Sequence, residues 1–294
     1  MSFAKYLEGR RRSEAAVEKL AGAMSDLQVR MADQLVDLLL ELDVKGGKVE
    51  STEANVNRVS EIMRLLKNQL ADDQWIEAVS DYVDSFDRME GDIVGYMGTL
   101  GEVDERLITA LKRHYKTVVA EFLTNPQSFA KDVFNPVQQN IITSIATNAP
   151  LKELNESTRT ILRGAEDKDG AIVDAAKPMA ETSATLYERS ATSKIAEELG
   201  IELYFYQGRN IDTTRPFPCG NWAGHAMHRK EIEELADEDW AGKIDGTDKQ
   251  TIFVYLGGWF GNKKACRHVL IPISGKDAPQ EDLARMRSKG LIAP

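Results

Sequence analysis

The chain has 294 residues, 42% hydrophobic and 29% charged, a balance that supplies an ordinary folded core and excludes wholesale disorder. With 37 lysines and arginines against 47 acids, the formal charge of −10 excludes a general nucleic-acid coat, which has to neutralise phosphates with a basic surface. Two cysteines exclude a disulfide scaffold, and no apolar run approaches the roughly 18 residues a membrane-spanning helix needs. The start Met-Ser-Phe-Ala-Lys turns charged without an apolar signal segment, so synthesis in the cytoplasm is expected.

In chain order, Lys5, Arg10, Arg11 and Arg12 open the sequence as a basic cluster that reads as a solvated helix face. From Ser13 to Leu42, apolar residues recur at three- and four-residue steps (Val17, Leu20, Met24, Leu27, Met31, Leu35), the stripe of one long amphipathic helix. Gly46 and Gly47 are expected to end it. Ser51 or Thr52 then caps a second helix carrying Val56, Val59, Ile62, Met63 and Leu66. Further helices are predicted over Asp73 to Tyr96, Val103 to Leu123, Ser128 to Thr147 and Ile172 to Leu199. Pro178 is expected to move the start of the last to Lys177 or later. Between Leu70 and Arg106 the acids Asp72, Asp73, Glu77, Asp81, Asp84, Asp87, Glu90, Asp92, Glu102, Asp104 and Glu105 have almost no cations nearby in sequence. They predict an acidic face that repels DNA and meets either solvent or a basic partner.

After Gly200 the texture changes. Ile201 to Gln207 is aromatic-rich and strand-like, with further strands predicted at Thr251 to Leu256 and Arg267 to Ile273 among Gly-, Pro-, Trp- and His-rich loops. The fold class is therefore α+β: a mainly α-helical first two thirds and a small C-terminal α+β module. Along the chain this predicts a helical domain over 1–165, a module of leading helix, short strands and loops over 166–275, and a tail with a short helix over 276–294.

The information is densest between Glu181 and Ser274. A helix beginning Glu181-Thr182-Ser183 and ending Glu197-Glu198-Leu199-Gly200 leads to the strand Tyr204-Phe205-Tyr206. Next come Asp212-Thr213-Thr214-Arg215-Pro216-Phe217-Pro218-Cys219, then Gly224-His225, Trp240, Gly257-Gly258-Trp259 and Cys266-Arg267-His268. This ordered set resembles the C-terminal module of the phage head morphogenesis (Mu F-like minor head protein) family: a helix, an aromatic strand, an Asp-x-Thr-Arg-Pro turn with a cysteine, and a closing Cys-Arg-His before a strand. The likeness covers about the last third. Pro218 between Phe217 and Cys219, and Lys263-Lys264-Ala265 before the second cysteine, depart from the family pattern. The resemblance implies a structural minor head protein of a tailed bacteriophage, made in the host cytoplasm and residing in the virion at the head interior or portal vertex. It implies association with the portal protein in head assembly, DNA packaging or genome ejection. The major capsid or scaffolding protein is a further expected partner, together with an oligomeric state in the particle and some DNA contact.

The residues themselves offer limited chemistry. Asp212, Thr214 and Arg215 fit a structural corner, an Asx-type turn braced by the guanidinium. Cys219, His225, His228, Cys266 and His268 have the donors for a four-coordinate zinc site, with Cys219, His225, Cys266 and His268 the expected set. They lack the Cys-x2-Cys spacing of zinc knuckles, which favours two small thiols packed beneath loops and no cofactor. His114 stands alone on a helix. Dinucleotide and Walker phosphate loops are missing and no nucleophile-base pair stands out, so an enzyme is not expected. The rivals are a metal-dependent nuclease built on the Cys/His cluster and a DNA-binding ejection protein using Arg10, Arg11 and Arg12.

Overall fold

A computed structural model describes residues 1–164, 169–208, 214, 216–257 and 266–293. It is 70% helical, with antiparallel sheets of two and three strands, as the α+β reading requires. The apolar stripe of the first helix runs one long element, α1 (Phe3–Leu39), which buries Val17, Leu20, Met24, Leu27, Met31 and Leu35 on one side. Helices α2 (Glu53–Asn68), α3 (Asp73–Met97) and α4 (Glu105–Thr124) follow. Thr52 caps α2, its hydroxyl accepting from the Asn55 N–H at 3.2 Å.

Two glycines do something other than expected. α1 stops at Leu39, before Gly46 and Gly47, and the glycines form the tip of a hairpin between β1 (Val44–Lys45) and β2 (Lys48–Val49). Their φ values of 60° and 79° are those of a two-residue turn with both central residues left-handed, open to glycine and matched to strand twist. The side chain of buried Asn55 holds this corner. It accepts from the Asp43 N–H at 2.8 Å and donates to the carbonyls of Asp43 (3.0 Å) and Glu50 (2.8 Å).

Beyond α4 the chain passes through a 3-10 turn (Pro126–Phe129) and a π turn (Ala130–Phe134) into α5 (Asn135–Ala146), then α6 (Leu151–Arg163), which the sequence pattern did not reveal. α7 (Ala171–Glu198) starts ahead of Lys177 and runs on through Pro178. The proline lies in the second turn, where it removes one hydrogen bond but leaves the rest of the helix intact. The small sheet has the order β4-β3-β5, with β3 (Leu203–Gln207) central and both partners antiparallel: β4 (Ala226–His228) and β5 (Val269–Pro272). Helix α8 (Arg229–Leu235) follows β4. The predicted strand at Thr251 to Leu256 is instead a short helix, α9 (Ile252–Tyr255). Asp248 explains it, because its carboxylate accepts the N–H groups of Gln250 (2.9 Å) and Thr251 (2.8 Å) and so opens a helical turn.

The expected division at 165 and 275 follows the chain; the structure divides differently, into two compact units. One, the helical unit, comprises 16–83 and 118–177. The other, the module unit, gathers 1–15, 84–117 and 178–294. In the helical unit, Trp75 is fully buried and donates to the Leu123 carbonyl at 3.1 Å. In the module unit the expected C-terminal tail is integral: α10 (Gln280–Ser288) packs Leu283 and Met286 on Ala226, Ile273 and Ala278.

The acidic stretch is also not an unpaired face. Its cations come from helices remote in sequence. In the helical unit Lys19 meets Asp81 at 2.6 Å and Arg30 meets Asp72 at 3.4 Å. In the module unit Arg12 meets Asp92 (3.2 Å), Lys112 meets Asp87 (2.8 Å) and Glu90 (2.6 Å), and Lys116 meets Asp84 (3.2 Å) and Asp87 (2.8 Å). Exposed pairs of this kind add little stability each, but they offset part of the negative charge that the linear sequence suggests.

Asn55→Ala should lower the unfolding free energy by about 2 kcal/mol, since it strands a backbone N–H and two carbonyls at the hairpin corner. Urea unfolding of the full chain measures it. An unshifted midpoint would mean that water replaces the amide.

Candidate metal centre

In β3 the alternation of a strand sends Tyr204 and Tyr206 to a buried face and leaves Leu203, Phe205 and Gln207 half-buried. The Tyr206 ring stacks on His268 with centroids 5.4 Å apart, and its hydroxyl lies 3.4 Å from the sulfur of Cys219. Cys219 sits in the irregular turn Pro216–Gly220 and is 2% exposed. Cys266 and His268 stand two apart just before β5, with Cys266 Sγ 3.6 Å from His268 Nδ1. The ligand atoms of Cys219, Cys266 and His268 all lie within 4.8 Å of one another, and these three side chains are able to hold a metal ion.

The donor set fits zinc. Tetrahedral zinc with Zn–S near 2.3 Å and Zn–N near 2.05 Å places a sulfur and a nitrogen about 3.5 Å apart, close to the separation seen here. A hydrogen bond from Cys219 lowers the Cys266 thiol well below its ordinary 9.0 and outweighs the opposing effect of burial; the His268 ring and the charge of Arg189 lower it further. A thiol so disposed ionises readily, and the thiolate is the form that ligates metal. Burial, together with the charges of Cys266 and Cys219, pushes Tyr206 well above its ordinary 10.0, which keeps it a neutral phenol.

Two glycines make room for this packing. A methyl group at Gly208 would overlap the His268 ring, and one at Gly257 would overlap both Arg189 and the Cys266 sulfur.

The cluster is positioned by a guanidinium. Arg189, on α7 and 2% exposed, donates from Nε to the His268 carbonyl (2.9 Å), from Nη1 to Val254 (3.1 Å) and from Nη2 to Cys266 (3.2 Å) and again to His268. Arg10 completes the set by donating to the carbonyl of Arg267 at 3.2 Å. Two arginines thus hold three successive carbonyls of Cys266-Arg267-His268. Arg10 is itself held by Glu188 in a close ion pair (2.7 Å), and Glu188 accepts from the Tyr6 hydroxyl at 2.7 Å. Tyr6 stacks on Tyr96, whose hydroxyl donates to the Pro272 carbonyl at 2.9 Å. The Arg267 side chain points the other way and pairs with Glu181.

Several expected residues fall elsewhere. His225 is not part of the cluster: its Nδ1 is 3.2 Å from Asp282 Oδ1, because it immediately precedes β4 and faces α10. Asp282 is buried and also accepts from the Ala226 N–H at 2.8 Å, so this pair fastens α10 to β4. His228 caps α8, accepting from the Lys230 N–H at 3.1 Å, and its other nitrogen meets Glu202 at 3.2 Å. Thr214 is half-buried, while Asp212 and Arg215 lie outside the described residues. Arg10 is not on a solvated face, its side chain being 10% exposed; Lys5, Arg11 and Arg12 are the exposed members of that basic cluster. Sequence reasoning passed over Arg189, Glu188 and Tyr6. The available signal was a charged Glu188-Arg189 pair amid the small residues of α7, where a solvent-facing helix would not be so rich in Ala, Ser and Thr.

Compared with models of known protein families, with curated proteins and with solved structures, the chain matches none of them.

Arg189→Lys keeps the charge but not the fork that spans three carbonyls. It should cost about 2–4 kcal/mol of stability, through buried carbonyls left without donors. Chemical denaturation checks this, and a variant as stable as the parent would remove Arg189 from its positioning role.

Proposed function

We propose that the chain is a structural minor head protein of a tailed bacteriophage, associated with the portal in head assembly, DNA packaging or genome ejection, and that zinc bound by Cys219, Cys266 and His268 closes its C-terminal module. The observation that carries this reading is convergence. Four of the pieces on which the family resemblance rests, the helix of Glu181, the aromatic strand, Cys219 and Cys266-Arg267-His268, lie in one packed unit, with Arg189 of that helix holding the last. Zinc at such a site supplies folding free energy, because the ligand geometry does not exist in the unfolded chain.

The helical unit supplies a surface for a partner. Leu40, Val44 and Val56 are exposed, and all three flank the corner that Asn55 holds. A rigid apolar corner loses little entropy on docking. In this reading it meets the portal protein.

A metal-dependent nuclease is the second reading. The observation favouring it is that the described residues supply three ligands, the number of protein ligands found at catalytic zinc.

Co-expression with a tailed-phage portal protein should give a defined complex on size-exclusion chromatography with mass analysis. Two separate peaks at micromolar concentration would count against the portal assignment. Elemental analysis of the purified chain should find about one zinc per chain, lost in Cys266→Ser. A zinc-loaded chain that cleaves DNA, with cleavage abolished by His268→Ala, would put the nuclease first.

A further inference from the structure

The two sulfurs of the candidate centre are neighbours as well as ligands. Cys219 and Cys266 carry thiols, not a disulfide, with their sulfurs within 4.8 Å of one another, and they differ in access: Cys219 is buried while Cys266 is partly exposed. A disulfide requires the sulfurs about 2.05 Å apart, so the pair closes with a shift of under about 3 Å. The backbone of Cys266 is fixed by Arg189, whereas Cys219 rides on an irregular turn in which Phe217 departs from helical geometry (φ −117°, ψ 137°). The adjustment therefore falls on the Cys219 side.

We propose that Cys219 and Cys266 form an oxidation site at which a hydroperoxide converts the metal-ligating pair into an intramolecular disulfide, so that the bound-metal and disulfide states exclude one another. In the first step the Cys266 sulfur attacks the peroxide and gives up its thiol proton. An S–O bond forms, the O–O bond breaks, and the leaving oxygen takes up a proton as water or alcohol. In the second step the Cys219 sulfur attacks Cys266, forming the S–S bond and breaking S–O; hydroxide leaves and takes the proton of Cys219 as water. Two thiols lose two electrons and one peroxide gains them. An accessible cysteine beside a buried resolving cysteine is the arrangement that stops oxidation at the reversible disulfide instead of the sulfinic acid. The disulfide removes two of the three donor atoms, and a bound ion in turn occupies both sulfurs. The exclusion of one state by the other rests on the zinc reading; the disulfide itself does not.

The full chain, treated with a chelator and then with hydrogen peroxide, should lose both free thiols and yield one Cys219–Cys266 linked peptide on non-reducing digestion and mass analysis. Dithiothreitol should restore the thiols. In Cys219→Ser the reaction should stop at a sulfenic acid on Cys266, trapped by dimedone. Thiols that persist, separate sulfinic acids, or only intermolecular links in the unmutated chain would overturn the proposal whether or not the variant folds. Prior loading with zinc should slow thiol loss about tenfold or more. Equal rates in a chain shown to carry zinc would overturn mutual exclusion, while a chain that binds no zinc but still forms the disulfide would sink the zinc reading and leave the oxidation site standing.

Discussion

A guanidinium withdrawn from water has to find most of its donors a partner, and at Arg189 they find backbone. Three carbonyls from two chain segments, Val254 on one side and Cys266 and His268 on the other, converge on one side chain from α7. Burying such a charge is costly unless it is compensated, and the three carbonyls compensate it; the Cys266 thiol beside them is lowered first by the Cys219 hydrogen bond and further by His268 and the guanidinium. The glycine at 257 belongs to the same device, since a side chain there would occupy the space between guanidinium and thiol.

From this centre the module unit extends outward through polar contacts that are each tied to the next. Glu188, the neighbour of Arg189, turns to Arg10 and Tyr6; Tyr6 leans on Tyr96; Tyr96 reaches β5 at Pro272. On another side of the sheet, Asp282 and His225 fasten α10, helped by Arg285, which donates to the Ala226 carbonyl at 2.7 Å and pairs with Glu231. Partner contacts that span large sequence separations make such a unit slow to assemble relative to a bundle of local helices, because loop closure precedes the contacts that offset it.

The sequence was most readable where one physical rule acted alone. The stripes of α1, α3 and α4 come from helical periodicity, and the aromatic β3 from strand propensity, and both appear where expected. Misreadings occurred where two rules competed. Gly46-Gly47 satisfies the rule for ending a helix and the rule for a tight hairpin, and only the pairing of Val44 with Val49 decides between them. Thr251 to Leu256 has strand-like composition, but Asp248 caps it into a helical turn. The acidic stretch was judged against its sequence neighbours, while its cations reside on α1 and α4. At the candidate centre, Cys219, Cys266 and His268 were legible as donors. Their separation from His225 was not, because it depends on which side of β4 the Asp282 carboxylate arrives.

The module unit is discontinuous in sequence, drawing on 1–15 and 84–117 as well as 178–294. A gene fragment starting at residue 166 would therefore encode every motif that makes the C-terminal third distinctive and yet omit Tyr6, Arg10 and Tyr96, leaving the Arg267 carbonyl, Glu188 and the Pro272 carbonyl without these partners. Excision along the chain does not isolate this unit. Subcloning, domain swapping or transplantation that respects the motif boundaries cuts through its packing, and a cut that respects the packing has to carry 1–15 of the first helix and 84–117 of α3 and α4 along with it.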